Sequence, residues 1–298
     1  MASDPRIEAA FLAACRAELC AIKPGNVHIH APGHAMDAAT FERAALAAAP
    51  LIADAELGVG DRVLQATRAS FEAAGCNANL GIVLLAVPIA RAFEVAETAG
   101  HDGLRSAIGP VLAELGDADA RQVFAAIAHA SPGGLGEAGA HDVRQAPTIG
   151  LVDAMRLAQG KDRIARQYAT GFADLFATGR SALAATPPAV LAHPALGPAF
   201  AVYGAFTVAF PDSHIARKFG VPTARAVQER FAAFFDRTRR EIDTRTIAAD
   251  ALRFDAELKG EGLNPGTSAD LTVATLFLAE LCGPAFFAPP LRNVVGSD

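Results

Sequence analysis

Alanine-rich apolar runs, each cut short by a polar segment carrying Gly or Pro, set the limits on what this chain can fold into. Alanine is the best helix former, and β-branched runs, which favour sheets, are scarce. Apolar spacing at 3–4 residues predicts a first helix over 6–22, with Ile7, Phe11, Leu12 and Leu19 on one face and Pro24-Gly25 as its stop. Thr40 reads as the cap of a second helix beginning FERAALAAAPLI. Further helices are expected over 61–74, 80–97, 104–115 and 119–129. A loop spans 131–147, and helices follow over 148–159 and 162–178. An apolar stretch covers 187–210. Residues 221–249 read as one long amphipathic helix or a helix pair, and a last helix follows Asn264. No repeat, low-complexity tract or linker interrupts the pattern. The expectation is all-α: one single-domain multi-helix bundle over 1–298, with its cleft formed by helix ends and connecting loops.

Composition narrows the function classes. The net charge is −6 over 298 residues, and no basic stripe appears, which argues against a nucleic-acid partner. Cys15, Cys20, Cys76 and Cys282 have no zinc-ligand spacing and read as small buried apolar residues. The greasiest run, 80–90, is too short to span a bilayer and contains Pro88. The stretch MASDPRIEAA lacks a signal-peptide pattern. A cytoplasmic protein with no membrane partner is expected. The apolar helices are compatible with a homodimer surface and equally with core burial. Arginine carries nearly all the positive charge, and the only lysines are Lys23, Lys161, Lys218 and Lys259. A retained lysine hints at a place that needs a compact ammonium.

Nearly all the unusual polar chemistry sits in five interruptions. KPGNVHIHAPGHAMD carries Lys23, Asn26, His28, His30, His34 and Asp37; a solvated loop explains it, and transition-metal binding is the sharper alternative. GCNANLG carries Asn77 and Asn79, one of which suffices to cap the next helix. GGLGEAGAHDVR carries Glu137, His141 and Asp142. It is neither a Walker loop, since no GK[ST] follows, nor a dinucleotide fingerprint, since no strand precedes it. PDSHIARKFG places Asp212, Arg217 and Lys218 where an apolar helix ends. DAELKGEGLNPGTSAD carries Lys259, Asn264, Ser268 and Asp270; here Thr267 or Ser268 would cap the last helix, with Asp270 in its first turn. Capping leaves Asn264 unexplained. Five such segments at the helix junctions of one bundle suggest one cleft. Its carboxylates and amides suit hydrated Mg²⁺, and its lysines, arginines and helix N-termini suit phosphates. The residues point to a polyphosphate substrate with Mg²⁺.

In this order the segments resemble the triphosphoribosyl-dephospho-CoA synthase family, from about Glu18 to Glu280. The resemblance rests on Lys23-Pro24-Gly25 followed by Gly33, His34 and Asp37, and on Gly75, Asn77 and Gly81. It continues through Gly136-Glu137 and through Asp212, Ser213 and Arg217. Its most specific part is Leu258-Lys259 with Asn264-Pro265-Gly266-Thr267-Ser268-Ala269-Asp270-Leu271. There are departures. KPGNVH stands where the family usually reads KPGLVD, so Asn26 and His28 replace an apolar residue and an acid. Met36 and Asp37 are exchanged, and AGAHDVR ends the third motif differently.

The resemblance implies an all-helical enzyme that moves the 5-triphosphoribosyl group of ATP onto an acceptor hydroxyl and expels adenine. That is a glycosyl transfer, whose oxocarbenium-like transition state a nearby carboxylate stabilises. On this reading Asp37 and Asp270 serve the metal or the sugar, with Asp212 as a further metal ligand. Lys23, Lys259, Arg217 and Lys218 face phosphates. Asn26, Asn77, Asn79, Asn264 and Ser268 orient sugar or phosphate oxygens. His34, Glu137 or His141 is the acid or base. Dephospho-CoA is the family's acceptor, and the altered motifs motivate another, such as a ribitol-bearing precursor of a methanopterin-type one-carbon carrier. A non-catalytic nucleotide-binding helical protein is the third reading.

Overall fold

The structure, a computed structural model, describes residues 3–130, 145, 147–241 and 243–286. These form fifteen α-helices, and among the described residues β pairing is confined to three isolated bridges. The helices are α1 (Pro5–Cys20), α2 (Ala38–Ile52), α3 (Val59–Ala74), α4 (Leu80–Val95), α5 (His101–Ala113), α6 (Asp117–Ala130), α7 (Leu151–Ala158) and α8 (Arg163–Thr170). A π-helical turn, Leu175–Gly179, runs into α9 (Arg180–Ala185). Then come α10 (Pro188–Leu191), α11 (Gly197–Ala209), α12 (Ser213–Phe219), α13 (Val221–Thr238), α14 (Thr244–Gly260) and α15 (Gly266–Cys282).

Two helices lack a polar face. In α4 the nine residues from Ile82 to Ala90 are all buried, and in α15 the eight from Leu271 to Leu278 are. Two turns buried all round make a core helix rather than a surface one. α15 packs on α1, α4 and α11, with Phe11 and Phe277 edge-on, their centroids 5.9 Å apart. A second apolar cluster joins α11, α13 and α14 through Phe200, Phe231, Phe234, Phe235 and Phe254. All of it belongs to one all-α core. No helix among the described residues is long and apolar enough to cross a membrane.

Pro88 lies inside buried α4. It has no N–H to give the carbonyl of Leu84, four residues back. The Tyr168 hydroxyl of α8 takes that place, donating to Leu84 O at 2.6 Å. A buried tyrosine thus repairs the gap left by a buried proline.

Sequence and structure part at three places. The cap of α2 is Asp37, which accepts from the backbone N of Thr40, not Thr40 itself. The helix expected over 162–178 breaks at Phe172, whose φ of 60° is left-handed, and resumes as the π turn. Gly179 in that turn lets it lie against Thr275 of α15. The stretch 187–210 splits into α10 and α11 at Gly197, φ 62°. For residues 221–249 the helix pair, rather than the single long helix, is the reading that holds, with Asp243 capping the second helix.

Candidate active site

The N-terminal loop is pinned before it reaches α2. Gly25 has φ 83°, and a Cβ there would sit 2.9 Å from Leu263 O. The KPG glycine therefore serves both the turn and a close approach to the loop before α15. Its N–H donates to Asp255 Oδ1 at 2.8 Å. Residues 33–36 form a two-residue hairpin, with Met36 N bonding Gly33 O at 2.9 Å and Gly33 N bonding Met36 O at 3.1 Å. Its central residues, His34 and Ala35, have φ of 55° and 61°, the signature of a type I′ turn. Neither is glycine, so this turn is strained. His34 Nε2 lies 2.8 Å from Gly25 O. A carbonyl only accepts, so Nε2 carries the hydrogen and leaves Nδ1 as the nitrogen open to other contacts.

Beneath this loop lie buried ions. Lys23 is wholly buried, with Nζ bonded to Glu18 Oε1 at 2.8 Å, to Asn26 Oδ1 at 3.0 Å and to Val27 O. Its three hydrogens are all engaged, so Lys23 holds the loop and has none to offer a phosphate. Burial pushes the Glu18 carboxyl up and the Lys23 ammonium down, and their mutual attraction opposes both shifts. Asn26 Nδ2 donates to Asn264 Oδ1 at 2.8 Å, joining the first motif to the last. That bond accounts for Asn264. Lys259 Nζ bonds Asp255 Oδ2 at 2.8 Å and Ala31 O at 3.0 Å, and its stem covers Gly33. His28 Nε2 is 3.3 Å from Asp255 Oδ2, and burial lowers the pKa of this imidazole. Burial alone would raise the Asp255 carboxyl, but its bonds from His28 and Lys259 prevail and lower it.

The start of α15 is organised from outside. Pro265 precedes it and gives no side-chain cap. Thr267 Oγ1 is buried without a partner. The cap comes from Asp212, whose Oδ2 accepts from both N and Oγ of Ser268 at 2.8 Å. Its Oδ1 accepts from His214 N at 2.8 Å and Ile215 N at 3.2 Å, capping α12. One carboxylate thus starts two helices, and it takes the role expected of Thr267 or Ser268. Gly266 makes room for His214, since a Cβ there would meet Nδ1 at 2.8 Å. Asp270, one turn in, is half-buried. A Cβ on Gly81 would overlap its Oδ2 and lie 2.7 Å from Ile164 Cδ1. The Asp270 carboxyl accepts no hydrogen bond from any described residue. Burial, and then the charges of Asp212 and Glu18, push its pKa well above the ordinary range against the pull of Arg217.

Not every expected residue joins this cluster. Asn77 Oδ1 caps α4 at Leu80 N, 3.3 Å away, while Asn79 is buried with Nδ2 unpartnered. Arg217 pairs with Asp162 at 2.5 Å. Lys218 is exposed, with its ammonium 5.2 Å from the Phe219 ring centroid. Asp37 is exposed at its cap. Glu137 and His141 lie outside the described residues. Sequence reasoning missed Glu18, Asp255, Asp162 and the role of His28. Asp255 stands four residues before Lys259, an ion-pair spacing that marks it; Glu18 carries no local signal.

Among the described residues no three His, Cys, Asp or Glu side chains converge closely enough to hold a metal ion by themselves. Hydrated Mg²⁺ needs only one or two carboxylates, with substrate phosphates completing its shell. Asp270 fits: a carboxyl without hydrogen-bond donors, crowded by other acids, is relieved by a cation. Asp212 fits less well, because both its oxygens already accept two bonds.

Residues 4–285 match the family model described as ATP:dephospho-CoA triphosphoribosyl transferase. The fold also matches a crystal structure from Archaeoglobus fulgidus, described as that of a candidate triphosphoribosyl-dephospho-CoA synthase. The TM-score is 0.62 at 23% identity, over 82% of this chain and 97% of that one. A search of the curated proteins finds no match.

Proposed function

The chain belongs to the ATP:dephospho-CoA triphosphoribosyl transferase family, and from that premise we propose that it moves the 5-triphosphoribosyl group of ATP onto a hydroxyl of dephospho-CoA and releases adenine. The observation that carries this reading is the direct joining of the motif segments. Asn26 bonds Asn264, Gly25 bonds Asp255, Lys259 covers Gly33, Asp212 caps Ser268, and Asp270 abuts Gly81. Residues from four chain segments thereby form one wall. In the reaction the C1′–N9 bond of ATP breaks and a bond from C1′ to the acceptor oxygen forms. The acceptor proton goes to a base, and adenine leaves with a proton on nitrogen. His34 is the base among the described residues, because its ring is fixed through Nε2 and its Nδ1 makes no hydrogen bond to a described residue. Asp270 would hold Mg²⁺, which supplies charge neutralisation at the triphosphate. Asn264 and Asn26 set the spacing of the wall.

Asn26 and His28, which replace an apolar residue and an acid of the usual family motif, lie inside the buried network. They favour a second reading, with the same donor and a different hydroxyl acceptor such as a ribitol-bearing pterin precursor. Purified protein incubated with Mg-ATP and either acceptor, with adenine and product followed by chromatography, separates the two. Adenine released with dephospho-CoA supports the first. No adenine with either acceptor overturns both.

A further inference from the structure

The chain contains a clear example of an arginine used for structure. Arg62 is wholly buried, and its guanidinium donates to Leu57 O at 3.0 Å, Ile52 O at 3.2 Å and both oxygens of Glu94 at 2.7 and 3.0 Å. Arg163 and Arg166 at the start of α8 are unlike it. Neither guanidinium donates a hydrogen bond to a described residue, and both Nε atoms are buried without a partner. Their nearest carboxylate is Asp174, whose Oδ2 stands 3.5 Å from Arg163 Nε and 3.9 Å from Arg166 Nε. That oxygen already accepts from Gln167 Nε2 at 2.7 Å. Arg217 is nearby, joined to Asp162 by one terminal nitrogen, and its Nε is also buried and unpartnered.

This group adjoins the wall described above. Arg163 N donates to Ser213 Oγ at 2.9 Å, tying α8 to α12 beside Asp212. Ile164, the next residue, meets the Asp270 carboxyl over Gly81. Arg163 is held in plane by the Phe210 ring, with its guanidinium carbon 3.2 Å from the ring centroid. Arg163 and Arg166 share Asp174, while Arg217 pairs with Asp162, the cap of α8. The donors of Arg163 and Arg166 are unused, and the Arg163 guanidinium is already fixed in place by the Phe210 ring. Unused guanidinium donors take phosphate oxygens in preference to carbonyls, because the fork matches them and the bond is charge-assisted.

We propose that Arg163 and Arg166, with Arg217, form the clamp for the polyphosphate chain of the nucleotide. The lysines of the first and last motifs are paired internally instead. This rests on the transferase reading for the identity of the nucleotide, but not for the binding of the anion.

The test uses the full chain with two probes, inorganic triphosphate and adenosine, in calorimetry at two salt concentrations, alongside adenine release from Mg-ATP. The variants are Arg163→Gln and Arg166→Gln, with Arg239→Gln on the exposed end of α13 as a charge-matched control. Loss of a charge-assisted donor weakens triphosphate binding about ten- to a hundredfold per arginine. Adenosine binding, melting temperature and the control variant stay unchanged. Triphosphate affinity that is unaltered in both variants overturns the clamp. So does a parallel loss for adenosine with a lowered melting point, since that marks a structural arginine. If the unaltered protein binds triphosphate but releases no adenine with any acceptor, the transferase reading fails, and the two variants still decide the clamp.

Discussion

Asp212 offers the sharpest test, because the same carboxylate is expected as a metal ligand from sequence and is a double helix cap in the structure. It accepts four hydrogen bonds, two at the start of α12 and two from Ser268 at the start of α15. Asp212→Ala removes the α12 cap, which costs about 1 kcal/mol and up to about 2. It also leaves the buried Ser268 N–H without an acceptor, costing about 1–3 kcal/mol. The total is about 2–5 kcal/mol. Asp212→Asn keeps one carbonyl oxygen for His214 N and Ile215 N, but turns an N–H₂ group toward the Ser268 N–H. It should lose only the second contribution, about 1–3 kcal/mol.

Thermal and urea melts without Mg²⁺ or nucleotide give the ranking directly. In domains of about 150–250 residues, 1 kcal/mol moves the melting temperature by about 2–4 °C. The alanine variant should therefore melt on the order of 10 °C lower, with asparagine between it and the parent. A residue that only binds metal predicts the opposite pattern: removing its charge without metal changes stability little or improves it. If both variants melt within about 1 °C of the parent while Mg-dependent turnover is lost, the capping argument is wrong.

Lys23→Met strands the Glu18 carboxylate in the core and should cost about 3–5 kcal/mol, while Glu18→Gln combined with Lys23→Met regains most of it in urea melts. Tyr168→Phe leaves Leu84 O without a donor and should cost about 1–3 kcal/mol; adding Pro88→Ala restores the helical N–H and should recover part of that, a non-additivity readable in a double-mutant cycle. Asp270 carries a pKa raised by folding, so its contribution to stability is full below the ordinary value of 3.8 and is lost as pH climbs toward the folded value. Asp270→Asn escapes this loss: without metal it should melt higher than the parent at pH 7, by a margin that shrinks toward pH 4, and it should release no adenine.

Helix existence was legible because alanine-rich runs with 3–4-residue apolar spacing have few alternatives, and the polar junctions between them stood out by contrast. What was not legible is whatever depends on a partner far along the chain. Ser268 looks like a cap because its type and place are right, yet its backbone N–H is satisfied by Asp212, 56 residues earlier. Phe172 gives no local sign that it adopts a left-handed conformation. Asn264 could be flagged as unexplained by local rules, but only the fold shows that Asn26 is its partner. Glu18 reads as an ordinary polar residue on α1 until Lys23 turns back on it.

The scarcity of lysine acquires a physical reason from the same geometry. Lys161 and Lys218 are exposed, while Lys23 and Lys259 sit in the wall of the site. Around Lys23 Nζ stand three acceptors, from Glu18, Asn26 and Val27. An ammonium has three hydrogens and no fixed plane, so it satisfies them all and leaves no donor over. A guanidinium there would bring five donors in a rigid fork to three acceptors and bury the surplus, which is why Lys23→Arg should destabilise despite keeping the charge. Where the chain does use arginine beside the site, at Arg163, Arg166 and Arg217, the surplus exists and is unengaged. Compact cations close the inside of the wall, and forked ones with spare donors stand where an anion would lie. Swapping the two types should fail at both places for opposite reasons: Lys23→Arg through stability, and Arg163→Lys through triphosphate affinity with stability retained.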